Sequence, residues 1–97
     1  MSNPLLPNVT FTFLSDPGHS WLIVAPQWIG TVGLNLGSFS PFSYVGDDGT
    51  LALEEDSDAP VFLKAYERNF GKTCKINDVF EPRAQVRDWQ TLQQAAA

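Results

Sequence analysis

Short runs of strand-forming residues, separated by turn-forming sequences, dominate the first half of the chain. Residues 9–14 alternate between apolar and threonine side chains, and residues 20–24 are apolar on both faces. Between these runs, Asp16-Pro17-Gly18 supplies a proline with fixed φ and a glycine suited to positive φ, as in a tight reversal. The pattern predicts two strands joined as a hairpin.

A second hairpin is predicted further along the chain. Residues 42–45 and 50–54 flank Gly46-Asp47-Asp48-Gly49. Asp-Gly between strand-like runs is a strong hairpin signal, because both residue types tolerate the backbone angles of the turn. This turn is acidic.

Two helices follow from local signals. Pro26 can begin a short helix that Gly33 ends. Asp58 is a good N-cap for a second helix that Gly71 ends. The apolar residues of this second helix recur at helical spacing, at Phe62, Leu63, Tyr66 and Phe70. Beyond it, residues 73–76 resemble a further strand, and residues 82–92 favour a C-terminal helix with a strand as the alternative.

These elements predict an α+β domain with a small, mainly antiparallel sheet of two hairpins and two or three helices on one face. The length of 97 residues corresponds to a single domain, 1–97, with one small core. Residues 1–8 and 93–97 are expected to fray, as chain ends commonly do.

The composition indicates a cytoplasmic protein. Cys74 is the only cysteine, so no intramolecular disulfide can form, and we expect its thiol to be a small buried apolar group. Residues 1–7 lack the basic start and apolar run of a secretory signal. The longest apolar stretch, residues 21–26, is far shorter than the roughly 20 residues of a membrane span. No membrane association is expected.

Charge is distributed unevenly along the chain. Residues 1–63 contain no Lys or Arg, and the acids there give a charge of −7: Asp16, Asp47, Asp48, Glu54, Glu55, Asp56 and Asp58. The net charge of −5 argues against direct binding to DNA or RNA, which requires a basic surface.

Six acids fall between residues 47 and 58 without an intervening base, and they are the predicted partner-binding residues: Asp47, Asp48, Glu54, Glu55, Asp56 and Asp58. A merely solvated acidic face, with Asp58 as N-cap, is the alternative. Hard carboxylate ligands also suit Ca²⁺ or Mg²⁺, but the run lacks the glycine of a calcium loop, so no metal site is predicted.

His19 is the default candidate for acid–base chemistry, with Asp16 as its nearest acid. A role in stabilising the turn is the favoured alternative, because Asx side chains commonly bond turn backbone. The chain also lacks a nucleophile elbow and a glycine-rich phosphate loop. We therefore predict no catalytic residue, no cofactor and no enzymatic activity. Most aromatic residues are expected in the core, with Phe39, Phe42 and Tyr44 as candidates for exposure.

Three stretches together resemble a family of small, mostly uncharacterised proteins encoded by phages, plasmids and other mobile elements. They are residues 15–22 with the Asp-Pro-Gly-His-x-Trp turn, residues 40–44 with Ser-x-x-Ser-Tyr, and residues 53–59 with Leu-Glu-Glu-Asp-x-Asp-Ala. The resemblance covers about residues 9–66, and Ser57 stands where the family usually has Cys or another residue between the two Asp of the last motif.

Length, acidity and this mobile-element context also resemble an anti-CRISPR protein, in particular a small inhibitor of type I-F systems that imitates double-stranded DNA. The resemblance implies a cytoplasmic partner in the bacterial host, the type I-F surveillance complex. There the acids would occupy the basic, PAM-recognising DNA cleft and exclude target DNA. The alternatives are an accessory phage protein–protein interaction module and a small hydrolase that uses His19.

Overall fold

A computed structural model describes residues 9–96 of the chain. Six strands form one sheet: β1 (Thr10–Ser15), β2 (Ser20–Val24), β3 (Tyr44–Val45), β4 (Leu51–Glu54), β5 (Lys75–Phe80) and β6 (Gln90–Thr91). The helices are α1 (Gln27–Thr31), α2 (Ala59–Phe70) and α3 (Leu92–Ala96). Fraying is predicted for residues 1–8 and 93–97; residues 1–8 and 97 lie outside the described residues, and residues 93–96 belong to α3.

The sheet is mixed, with the strand order β5-β1-β2-β4-β3-β6. In this spatial order, β1, β2, β4, β3 and β6 pair antiparallel with their neighbours, whereas the edge strand β5 pairs parallel to β1. The connection from β4 through α2 crosses over β2 and β1 to reach this edge. The α+β class is confirmed, but a sheet made of two hairpins is too simple, because β5 and β6 extend it at both edges.

The main core lies between one face of the sheet and helices α1 and α2. Leu22, Leu53 and Phe62 are fully buried there. The ring of Phe11 packs edge-on against the rings of Phe62 and Tyr66, with centroids 5.3 and 5.8 Å away. The predicted helical spacing of the apolar residues in α2 matches this buried face.

Residues 81–91 cover part of the other face of the sheet. Trp21 and Ala52 are buried against Ala84 and Val86 from this segment. The continuous C-terminal helix predicted for residues 82–92 is wrong, because a 3-10 turn (Gln85–Asp88), β6 and α3 occupy this region. Strand β6 pairs with β3, so edge pairing takes precedence over the local apolar spacing.

None of the helices within residues 9–96 is both long and apolar enough to cross a membrane.

Candidate functional site

The Asp16 carboxylate joins the turn after β1 to the C-terminal segment. Its side chain is 1% exposed. It accepts hydrogen bonds from the backbone N–H groups of Gly18, His19 and Ala84 at 2.9, 3.1 and 3.1 Å. Arg87 adds two further bonds, from Nε at 2.6 Å and Nη2 at 2.8 Å. The Arg87 guanidinium and these N–H donors hold the pKa of Asp16 well below its usual range.

This arrangement gives Asp16 a structural role. The bond between Asp16 and His19 uses the backbone N–H of His19 and not its imidazole. Among the described residues, no hydrogen bond joins the His19 imidazole to the Asp16 carboxylate. Gly18 was expected to need positive φ, which is wrong. A Cβ at this position would instead collide with the Arg87 guanidinium, so glycine makes room for the ion pair.

Asp58 is the N-cap residue of α2, as predicted, and its backbone C=O accepts the bond from Phe62 N–H. Its burial does not suit the prediction that it is a partner-binding acid. The residue is 2% exposed, and its carboxylate makes no capping bond. It accepts hydrogen bonds from Ser40 N–H at 2.8 Å, from Ser40 Oγ at 2.7 Å and from the Ser43 hydroxyl. Ser43 Oγ in turn accepts a bond from Glu54 N–H. Asp58 thus ties the loop before β3 to the start of α2.

Glu54, Glu55 and Asp56 form the acidic segment at the end of β4. Glu54 Oε2 accepts bonds from the backbone N–H groups of Asp56 and Ser57, which folds the chain into a turn. One carboxylate oxygen from each of the three acids lies within 4.8 Å of the others. Glu54 and Glu55 are partly buried, and Asp56 is exposed.

Asp47 and Asp48 lie in the β3–β4 turn, at the other end of β4. Both side chains are exposed. Asp48 Oδ1 accepts a bond from Thr50 N–H, which lowers the pKa of Asp48. At about 3.4 Å per residue, the six residue steps from Asp48 to Glu54 span up to roughly 20 Å. Because the screening length in physiological salt is about 8 Å, the surface acids form two patches and not one row.

A pocket of about 390 Å³ opens beside the acidic segment. We call it the aromatic–acidic pocket. Its lining residues are His19, Trp21, Phe42, Tyr44, Glu54, Asp56 and Ser57. Phe42 is 67% exposed at this site, as anticipated from the sequence, whereas Trp21 is almost entirely buried and forms an inner wall. The pocket therefore combines apolar aromatic surface with two carboxylates.

The ion pairs of the described residues do not include an acid of the acidic segment. Arg83 pairs with Asp88, and Arg87 with Asp16. Within residues 9–96, no Lys, Arg or His forms a salt bridge with the acidic segment or with Asp47 and Asp48. Their negative charge therefore faces solvent without compensation from a bonded base.

The sequence did not identify His19, Trp21, Phe42 and Tyr44 as parts of one site. The sequence signal for this site is the set of three stretches quoted above for the resemblance, residues 15–22, 40–44 and 53–59. Each stretch contributes a buried anchor, namely Asp16, Ser43 or Asp58, and each contributes residues to the aromatic–acidic pocket. The three stretches thus build and line one site.

Comparison with protein-family models, curated proteins and solved structures found no match to this chain.

Proposed function

We propose that this protein is a binding protein that docks onto a basic surface of a partner protein through the acidic segment and the aromatic–acidic pocket. The observation that carries the proposal is the combination of solvent-facing carboxylates, which form no salt bridge with a described base, and an exposed aromatic wall in one concavity. Opposite charge steers association, and desolvated aromatic contacts supply affinity.

The partner that we propose is the type I-F CRISPR surveillance complex in the cytoplasm of a bacterial host. This step depends on the resemblance to mobile-element proteins and on the acidity of the chain. A surveillance complex binds DNA through Lys and Arg side chains, and carboxylates can bind these side chains in place of the DNA phosphates. The protein would then act as a DNA mimic that excludes the target duplex, without catalysis and without binding DNA itself.

A gel-shift competition tests this function. Purified type I-F surveillance complex is incubated with the protein before labelled target duplex is added, at about 50 and 200 mM salt. We expect loss of the DNA shift at low salt and partial recovery at high salt, because surface charges are screened. The double variant Glu55→Lys/Asp56→Lys should not compete.

The matched control is Glu67→Lys/Asp78→Lys, which makes the same charge change at exposed positions on α2 and β5. This variant should compete like the wild type. Equal loss in both variants would mean that only net charge matters, and an undisturbed DNA shift with the wild type would exclude the complex as the partner.

An accessory protein–protein interaction module is the second candidate. Phe42 and Leu36 are large apolar side chains that are 67% and 55% exposed, so both are accessible to an apolar surface of a partner. This function predicts that Phe42→Ala weakens partner binding at high salt as much as at low salt, whereas a charge-driven DNA mimic loses affinity mainly with salt.

A further inference from the structure

The aromatic–acidic pocket is large enough to receive one side chain of a partner protein. Its volume of about 390 Å³ lies at the lower end of the range of small-ligand pockets, roughly 300–1,000 Å³. Phe42 and Tyr44 supply aromatic walls, and Glu54 and Asp56 supply negative charge. A cation with a flat, apolar surface matches both kinds of wall.

One of the protein's own side chains, Arg87, shows this kind of contact next to the pocket. The guanidinium carbon of Arg87 lies 5.5 Å from the centroid of the Trp21 ring. The same guanidinium forms two hydrogen bonds to the Asp16 carboxylate. Trp21 also lines the aromatic–acidic pocket. The Trp21 indole and the Asp16 carboxylate thus bind the Arg87 guanidinium together. Because Arg87 is paired with Asp16, its positive charge is compensated.

We propose that the aromatic–acidic pocket binds an arginine side chain of the partner protein. The inference rests on the proposed function, since it needs a partner with a basic surface. A guanidinium is planar, stacks on aromatic rings and donates two parallel hydrogen bonds to a carboxylate. A lysine ammonium is a strongly hydrated point charge that uses only the negative wall.

The test is a titration of the full chain, followed by ¹H–¹⁵N NMR, with the capped tripeptide acetyl-Gly-Arg-Gly-amide as probe. The lysine and citrulline tripeptides are the comparison ligands, because citrulline keeps the planar shape without the charge. We expect saturable shifts of the Trp21 indole N–H and the Phe42 amide with the arginine peptide. Binding should be several-fold weaker with the lysine peptide and absent with the citrulline peptide.

Two variants remove one wall each. Phe42→Ala removes an exposed ring, and Asp56→Asn removes an exposed charge, so both should leave the fold intact. Each should raise the dissociation constant about two- to fivefold, as expected for one exposed cation–π contact or one surface ion pair. Asp47→Asn is the matched control, since it makes the same charge change in the β3–β4 turn and should bind the peptide unchanged.

Three outcomes would each overturn the proposal. The lysine and arginine peptides could bind equally well, or Asp47→Asn could weaken binding as much as Asp56→Asn. The third outcome is that no pocket resonance shows a saturable shift. The gel-shift competition separates this inference from the proposed function. If the arginine peptide does not bind but Glu55→Lys/Asp56→Lys still abolishes competition, the acidic docking surface stands without an arginine pocket. If the peptide binds and the wild type does not compete, the pocket stands and the surveillance complex is excluded.

Discussion

Asp56 and Asp58 show how burial divides neighbouring acids into different roles. Asp56 is exposed and lines the aromatic–acidic pocket, whereas Asp58 is buried under bonds from Ser40 and Ser43. Burying a carboxylate without hydrogen-bond donors is strongly unfavourable, so the bonds from the two serines are what allow Asp58 to be buried. Charge density along the sequence therefore overstates the number of acids available to a partner.

Replacing Asp58 with Ala should destabilise the protein by about 2–4 kcal/mol, because it leaves the donors of half-buried Ser40 and buried Ser43 without their acceptor. Asp56→Asn should change the free energy of unfolding by less than about 0.5 kcal/mol, since the residue is exposed. Urea denaturation of both variants measures the difference. Equal stabilities would contradict the structural role of Asp58.

The pair Asp16–Arg87 should make the protein sensitive to acid. The pKa of Asp16 is lowered in the folded state, so the unfolded chain binds the proton more tightly. The stabilisation from this carboxylate is therefore complete above its unfolded pKa of about 4 and is lost as the pH falls below that value.

We expect Asp16→Asn to be less stable than the wild type at pH 7 and to lose less of its stability between about pH 5 and pH 3. Asp88→Asn is the control, because Asp88 also forms an arginine pair but is 66% exposed in its side chain. Thermal unfolding at several pH values gives the comparison. A pH dependence in Asp16→Asn as steep as in the wild type would contradict the assignment.

Two glycines associated with helices differ in their backbone conformation. Gly71 ends α2 with φ of +73°, in the left-handed region that L-residues avoid. Gly30 lies inside α1 without positive φ. An added Cβ would meet no atom within 4 Å at either position, so backbone conformation alone separates them.

Gly71→Ala should therefore destabilise the protein by about 1 kcal/mol, and Gly30→Ala should stabilise it by up to about 1 kcal/mol. Chemical denaturation of the two single variants tests opposite signs for the same substitution. Destabilisation by Gly30→Ala would mean that α1 is not helical at this position.

At the scale of the whole molecule, the acids of the acidic segment lie together and apart from the bases. Glu55 and Asp56 are adjacent acids with neighbouring carboxylates, and like charges at this distance repel each other. The Lys and Arg residues lie elsewhere: on α2, in the connection from α2 to β5, on β5 and in the segment after β5. A surface that serves only stability would place a base among these acids.

We expect Glu55→Lys to keep or raise the free energy of unfolding by up to about 0.5 kcal/mol, while it weakens binding to a basic partner. Added salt should likewise raise the melting temperature of the wild type more than that of Glu55→Lys, because it screens the repulsion. Thermal scans at about 20 and 500 mM salt measure both effects. A clear loss of stability in Glu55→Lys would indicate that the carboxylate has a structural partner.

The sequence by itself determined the elements whose signals are local. Alternation of side chains predicted β1, an apolar run predicted β2, and helical spacing that ends at Gly71 predicted α2. Each of these signals depends only on residues that are close together in the sequence. The acidity of residues 47–58 was likewise evident from the sequence, as was the candidate exposure of Phe42.

Only the tertiary structure decided which of these features meet. The parallel pairing of β5 with β1 joins strands about 65 residues apart, and the bonds of Asp16 reach Arg87 across 71 positions. Such pairs depend on which groups become buried together, and local patterns do not encode this. For the same reason, the burial of Asp58 and the joining of His19, Phe42 and Glu54 into one pocket became apparent only once the sheet was assembled.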